Sequence, residues 1–134
     1  MQLINFIQDF DEDYRQRGRI YIPLDEMQQF NVNENMLTQR LESAELTRLM
    51  QHHLQRAQSM LLAGVSLVDH LEGKLRLVIA LTISSGLKMC EKLQTRVHCF
   101  ERPTLNKLDW VKIGLNALYF RAIRSRAKIQ LTAQ

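Results

Sequence analysis

Gln2, Asn5, Asp9 and Asp13 stand three, four and four residues apart near the start of the chain. Residues three or four apart are neighbours on one side of an α-helix. The spacing therefore predicts a polar stripe of two amides and two carboxylates. On an exposed helix two carboxylates four apart repel each other by roughly a few tenths of a kcal/mol, and a cation between them reverses that cost. Magnesium suits such a stripe: it takes oxygen ligands, keeps several waters, and commonly binds one or two carboxylates together with phosphate oxygens. A solvated acidic face is the alternative, because Asp11 and Glu12 stand beside the same residues.

Other groups point less clearly to chemistry. His52 and His53 are adjacent, so on a helix their rings aim in different directions, and both read as surface residues. Cys90 falls in an apolar run and reads as buried packing. Lys107, Lys112, Arg121, Arg124, Arg126 and Lys128 face a single acid, Asp109, in the last stretch of the chain. A basic helix of this kind suits either a solvated helix end or peripheral contact with an anionic membrane.

The elements that must position the stripe all read as helices, and no segment alternates for long enough to argue for a sheet. The first helix is expected from Met1 to Tyr14 or Arg15, with Leu3, Phe6, Ile7 and Phe10 as its apolar side. It begins without a capping residue, which suggests a chain cut within an element. Arg17-Gly18-Arg19 ends that helix. Pro23 opens a short helix through Leu24, Met27 and Phe30, and a second covers Asn33 to Leu41. A long helix follows from about Ser43 to His70, with Leu46, Leu49, Met50, Leu54, Ala57, Met60 and Leu61 on one side. After Gly73, the helix Lys74 to Arg96 is apolar nearly all round (Leu75, Leu77, Val78, Ile79, Leu81, Ile83, Leu87, Met89), which suits the centre of a bundle. Within it, Ser84-Ser85-Gly86 would let a neighbour come close. Arg102-Pro103 marks a loop. The last helix is expected from Leu105 to Arg126, burying Trp110, Ile113, Leu115, Leu118, Tyr119 and Ile123. The whole, residues 1–134, reads as one all-α domain, a helical bundle or part of one.

Bulk properties narrow the classes. With 134 residues the chain is sized for one domain. A hydrophobic share of 46% is ordinary for a globular protein. The net charge of +4 admits nucleic acid, an anionic surface or a phosphorylated ligand. Nucleic acid fits poorly, because the basic residues lack interleaved aromatics and the first helix is acidic. Two cysteines make no disulfide framework, and a reducing cytoplasm fits best. No apolar run is long enough to span a membrane.

The run Gln2-Leu3-Ile4-Asn5-Phe6-Ile7-Gln8-Asp9-Phe10-Asp11-Glu12-Asp13, followed by Arg17-Gly18-Arg19-Ile20-Tyr21-Ile22-Pro23, resembles the second aspartate-rich motif of the squalene/phytoene synthase family. Asn5-Phe6 with Gln8-Asp9 is most similar to the bacterial hydroxysqualene synthase branch. The stretch between Asp13 and Arg19 is one residue longer than the family pattern. Arg56-Ala57, Leu61-Leu62, Gly64, Leu67-Val68, Gly73-Lys74-Leu75-Arg76, Ser84-Ser85-Gly86-Leu87-Lys88, Phe100-Glu101-Arg102-Pro103-Thr104-Leu105 and Asp109-Trp110 continue the likeness in order, while Val97 replaces a tyrosine usual near that place.

The resemblance implies an enzyme class that joins two prenyl diphosphates head to head, or acts on the cyclopropyl diphosphate that results. It implies Asp9, Asp13 and Asn5 as Mg2+ ligands, and Gln2, Arg19, Tyr21 and Arg102 as contacts to the substrate diphosphate. It places the chain in the C-terminal half of the isoprenoid synthase fold. The family's first aspartate motif has no counterpart here, since Asp9-x-x-x-Asp13 is the sole pair of its kind. The expectation is a truncated or split synthase, inactive alone, whose N-terminal half comes from another chain and whose first and central helices expose apolar faces. The ionisation of presqualene diphosphate to hydroxysqualene is the favoured reaction. The competing reading is a non-catalytic helical partner-binding module derived from such an enzyme.

Overall fold

A computed structural model describes residues 1–131, with side chains through Tyr119. Every regular element among the described residues is a helix: α1 (Gln2–Gln8), α2 (Phe10–Arg17), α3 (Leu24–Gln29), α4 (Glu34–Thr38), α5 (Ala44–Ala63), α6 (Val65–His70), α7 (Gly73–Gln94) and α8 (Lys107–Leu131). The all-α class expected from the sequence is the class observed. Backbone contacts group the chain into two compact units. The first comprises Met1–Ala57 and Met89–Thr104; the second comprises Gln58–Lys88 and the segment from Leu105 onward.

The first unit carries the polar stripe. Ile4, Ile7 and Phe10 are buried along α1 and α2. The apolar side expected to lie open on the first helix is thus largely covered, with Leu3 and Phe6 half-buried. Leu46, Leu49, Met50, Leu54 and Ala57 are buried at the helical spacing that predicts them. Ser43 caps α5 by accepting a hydrogen bond at Oγ from the Leu46 N–H, 3.1 Å away. Asn33 does the same for α4 through the Met36 N–H. Tyr14 ties α2 to α4, its hydroxyl 2.7 Å from Thr38 Oγ1 and 3.2 Å from Glu34 Oε1. Phe10 and Phe100 stack with centroids 6.1 Å apart, bringing the loop after α7 against α2.

In the second unit, Val68, Ala80, Ile83 and Ala117 form a small core, flanked by Val65, Ile79, Leu81 and Leu87. Ile113 is also buried. The Asn106 N–H donates to Asp109 Oδ2 at 2.8 Å and the Asp109 N–H to Asn106 Oδ1 at 2.9 Å, a reciprocal cap that starts α8 two residues later than expected.

Several expectations are corrected. The first helix does not run unbroken: Asp9, at φ −96° and ψ 9°, divides it into α1 and α2. The long helix expected through His70 stops at Ala63, because Gly64 favours no continuation and a shorter turn begins there, with the Leu67 N–H bonding to the Gly64 carbonyl. Trp110, Leu115, Leu118 and Tyr119 are exposed, as are Met60, Leu75, Leu77 and Val78. Periodicity reports which residues want burial; these found no covering element among the described residues, so α7 is not enclosed along its whole length. Ile123 lies outside the described side chains.

Candidate functional site

The polar stripe is built on a helix that bends without losing its backbone bonds. The Asp9 N–H bonds to the Asn5 carbonyl and the Asp13 N–H to the Asp9 carbonyl, each at 2.8 Å. Asn5, Asp9 and Asp13 therefore keep one-turn spacing across the break. Their surroundings differ. Asn5 and Gln2 are exposed, Asp9 is half-buried, and Asp13 is only 5% exposed.

Each carboxylate has an arginine. Arg17 lies one turn beyond Asp13 and donates to its Oδ1 at 2.5 Å. Arg102 reaches Asp9 Oδ1 from the loop after α7 and also stands 3.5 Å from Glu12 Oε2. The Gln8 side-chain amide holds that loop by donating to the Pro103 carbonyl at 2.8 Å. Pairing with Asp9, foremost by hydrogen bonding, raises the pKa of the Arg102 guanidinium above its ordinary value. At the other end, Gly18 closes α2 in the left-handed region, φ +60°, and turns the chain so that the Arg19 N–H bonds to the Asp13 carbonyl. Arg19 Nη1 is 3.4 Å from the Tyr21 hydroxyl. That contact raises the Arg19 pKa, and the Asp13 charge adds to it. Tyr21 stacks flat on Phe6, with centroids 4.1 Å apart.

The structure thus pairs Asp9 with Arg102 and Asp13 with Arg17, and sets Arg19, beside Tyr21, within electrostatic reach of Asp13. Beside them lies an open hollow of about 490 Å³ lined by Gln8, Asp11, Glu12, Arg15, Gln16, Phe100 and Arg102. Sequence reasoning gave Arg17, Glu12 and Gln8 no part in holding the aspartates or the Arg102 loop. Arg17 had a signal, its i+4 spacing from Asp13; the contacts of Glu12 and Gln8 to Arg102 and Pro103 had none.

The donor set fits magnesium in one mode only. Among the described residues no three His, Cys, Asp or Glu side chains stand together as a metal cage. Two carboxylates and an amide oxygen match the mode in which magnesium takes few protein ligands and completes its shell with phosphate oxygens and water. His52 is exposed as expected, but His53 is a correction: it is buried at 3% exposure, its Nε2 3.1 Å from Glu26 Oε2 but out of line for a hydrogen bond. Burial lowers its pKa, and Glu26 opposes that shift. Cys90 is buried as expected, and burial raises its thiol pKa.

The chain is a member of the squalene/phytoene synthase family, whose model matches residues 1–110. It is similar to a hydroxysqualene synthase of Sinorhizobium fredii, 25% identical over 125 residues, covering 92% of this chain and 43% of that protein. It is also similar to the chloroplastic phytoene synthase 2 of Zea mays, 36% identical over 75 residues, covering 56% of this chain and 18% of that protein. The chain therefore spans less than half the length of these curated relatives. No solved structure matches it. Among the described residues no helix is long and apolar enough to cross a membrane.

Proposed function

We propose that this chain supplies one of the two magnesium–diphosphate surfaces of a head-to-head prenyl synthase, and that turnover needs a second aspartate-bearing surface. The observation that carries this reading is the Asn5–Asp9–Asp13 stripe with Arg102 and Arg19 beside it, in a chain of this family. Asp9 and Asp13, with Asn5, would hold Mg2+. When bound, magnesium stabilises the negative charge that develops on the departing diphosphate. Arg102 and Arg19 would bind diphosphate oxygens, for which planar guanidinium donors are suited. Tyr21 would add a hydroxyl donor held in place by Phe6, and Gln2 an amide at the other end of the stripe. The substrate is a prenyl diphosphate. The likeness to a hydroxysqualene synthase favours ionisation of presqualene diphosphate and capture of the cation by water.

One Asp-x-x-x-Asp pair gives half of the metal-binding surface, so this chain alone should bind magnesium diphosphate weakly and not turn over. The second surface would come from further sequence or from another polypeptide. Exposed apolar residues on α7 and α8, among them Leu75, Val78, Leu115 and Leu118, support an absent packing partner. The same exposure favours a second reading, a helical module whose role is to bind another protein. Incubation with Mg2+ and farnesyl or presqualene diphosphate tests the first reading. The expected result is no pyrophosphate release by the chain alone, and release once a chain bearing another Asp-x-x-x-Asp helix is added. Clear turnover by the isolated chain would refute the half-surface reading. Failure to bind magnesium pyrophosphate at all would leave the partner-binding module.

A further inference from the structure

We propose that Arg102 and Arg17 gate the aspartate stripe, so that magnesium enters only when a diphosphate takes the guanidiniums away. The inference rests on the reading that this stripe binds magnesium diphosphate, and adds an obligate coupling between the two ligands.

The stripe is already neutralised. Arg17 sits on Asp13 and Arg102 on Asp9, each holding one carboxylate oxygen, Oδ1. Arg19 adds a third positive charge close enough to interact with Asp13. Arg17 and Arg102 thus pair with Asp13, Asp9 and Glu12, and Arg19 adds its charge nearby. A bare divalent cation meets no net negative charge there, and to bind either aspartate through both oxygens it must break a charge-assisted hydrogen bond. Diphosphate changes the balance, because it is itself multiply anionic and offers oxygens to the displaced donors.

The two gates differ in how they can move. Arg102 arrives on a loop, is half exposed, and has a second carboxylate, Glu12, 3.5 Å from its Nε. It can leave Asp9 without losing all ion pairing. Arg17 lies in the last turn of α2, and its side chain is also more than half exposed, so it can swing outward while the buried Asp13 stays in place. Coupling follows: whichever ligand binds first lowers the cost for the other, by the same factor in both directions.

The test follows the Asp9 and Asp13 backbone amides and the Arg102 Nε–Hε signal by 15N NMR on the full chain. Titrants are Mg2+ alone, inorganic pyrophosphate alone, and both together. The wild type is expected to show little response of Asp9 and Asp13 to millimolar Mg2+ alone, movement of the Arg102 signal with pyrophosphate, and movement of all three with both. Arg102→Gln should respond to Mg2+ alone with a midpoint at least about tenfold lower than the wild type. Arg102→Lys, which keeps the charge but not the planar donors, should fall between them. Equal Mg2+ midpoints in the wild type and Arg102→Gln would overturn the gate while leaving the binding site intact. No response of Asp9 or Asp13 in any protein under any condition would sink the site itself, and the gate with it.

Discussion

Asp9 and Asp13 are chemically alike and spaced alike, yet the fold treats them differently. Asp13 is buried beside its own helix's Arg17, whereas Asp9 is half exposed and paired across 93 positions with Arg102. The first pairing was legible from spacing. The second was not, because it depends on a loop placed by Phe100 and held by Gln8, and nothing local marks it. Asp13→Asn should abolish binding of magnesium pyrophosphate while costing about 1 kcal/mol of stability or less, since Arg17 can turn to water; calorimetric titration and chemical denaturation would measure the two effects. His53 gives a second residue-scale prediction. Burial lowers its pKa from the ordinary value of 6.5, with Glu26 opposing, so the folded state takes up that proton less readily than the unfolded chain. As pH falls, the unfolded chain takes up that proton first. The contribution is therefore full above about pH 6.5 and is lost progressively below it. Melting temperatures should drop on acidification through this window, and His53→Gln should flatten the drop.

Helix types and most spans were readable, because 3.6-residue periodicity, Ser43, Asn33 and Gly18 are local signals. Two interruptions were not. Asp9 pauses the first helix while its i to i−4 bonds persist, so no breaker residue announces it. Gly64 ends α5 in a sequence whose apolar pattern continues; a Cβ there would lie 3.2 Å from the Leu61 carbonyl oxygen and 3.6 Å from Ile83 Cδ1. Gly18 is the opposite case. It has open space around it but a φ of +60°, so Gly18→Ala should cost about 1 kcal/mol through backbone strain alone, read from denaturation midpoints. The cap of α8 belongs to this scale too. Asn106→Ala removes one arm of the reciprocal bond with Asp109 and should cost roughly 0.5–2 kcal/mol, with lower helicity by circular dichroism.

At the scale of the molecule, the two units differ in how fully they are covered. The unit bearing the aspartate stripe buries Leu46, Leu49, Met50 and Leu54 almost completely. The other buries a small cluster and leaves Leu75, Val78, Leu108, Val111, Leu115, Leu118 and Tyr119 exposed. Leu108, Val111, Leu115 and Leu118 recur at helical spacing, so α8 presents an apolar stripe on the side away from the buried Ile113 and Ala117. Sequence periodicity identified Leu75, Val78, Leu115, Leu118 and Tyr119 as apolar positions; the exposed face expected on the central helix is seen at Leu75 and Val78, whereas the burial expected of Leu115, Leu118 and Tyr119 is not found among the described residues. Concentration-dependent self-association is the expected consequence, measurable by sedimentation velocity. Leu115→Glu with Leu118→Glu should reduce it without lowering helicity.

The central claim is that Asn5, Asp9 and Asp13 share one cation with a diphosphate. Paramagnetic broadening of backbone amides by Mn2+ in the presence of inorganic pyrophosphate tests it most directly. Broadening that is strongest at Asn5, Asp9 and Asp13, weakens toward Tyr21, and disappears in Asp9→Asn is the predicted result. Broadening centred on another acidic segment, or unchanged in Asp9→Asn, would contradict the account.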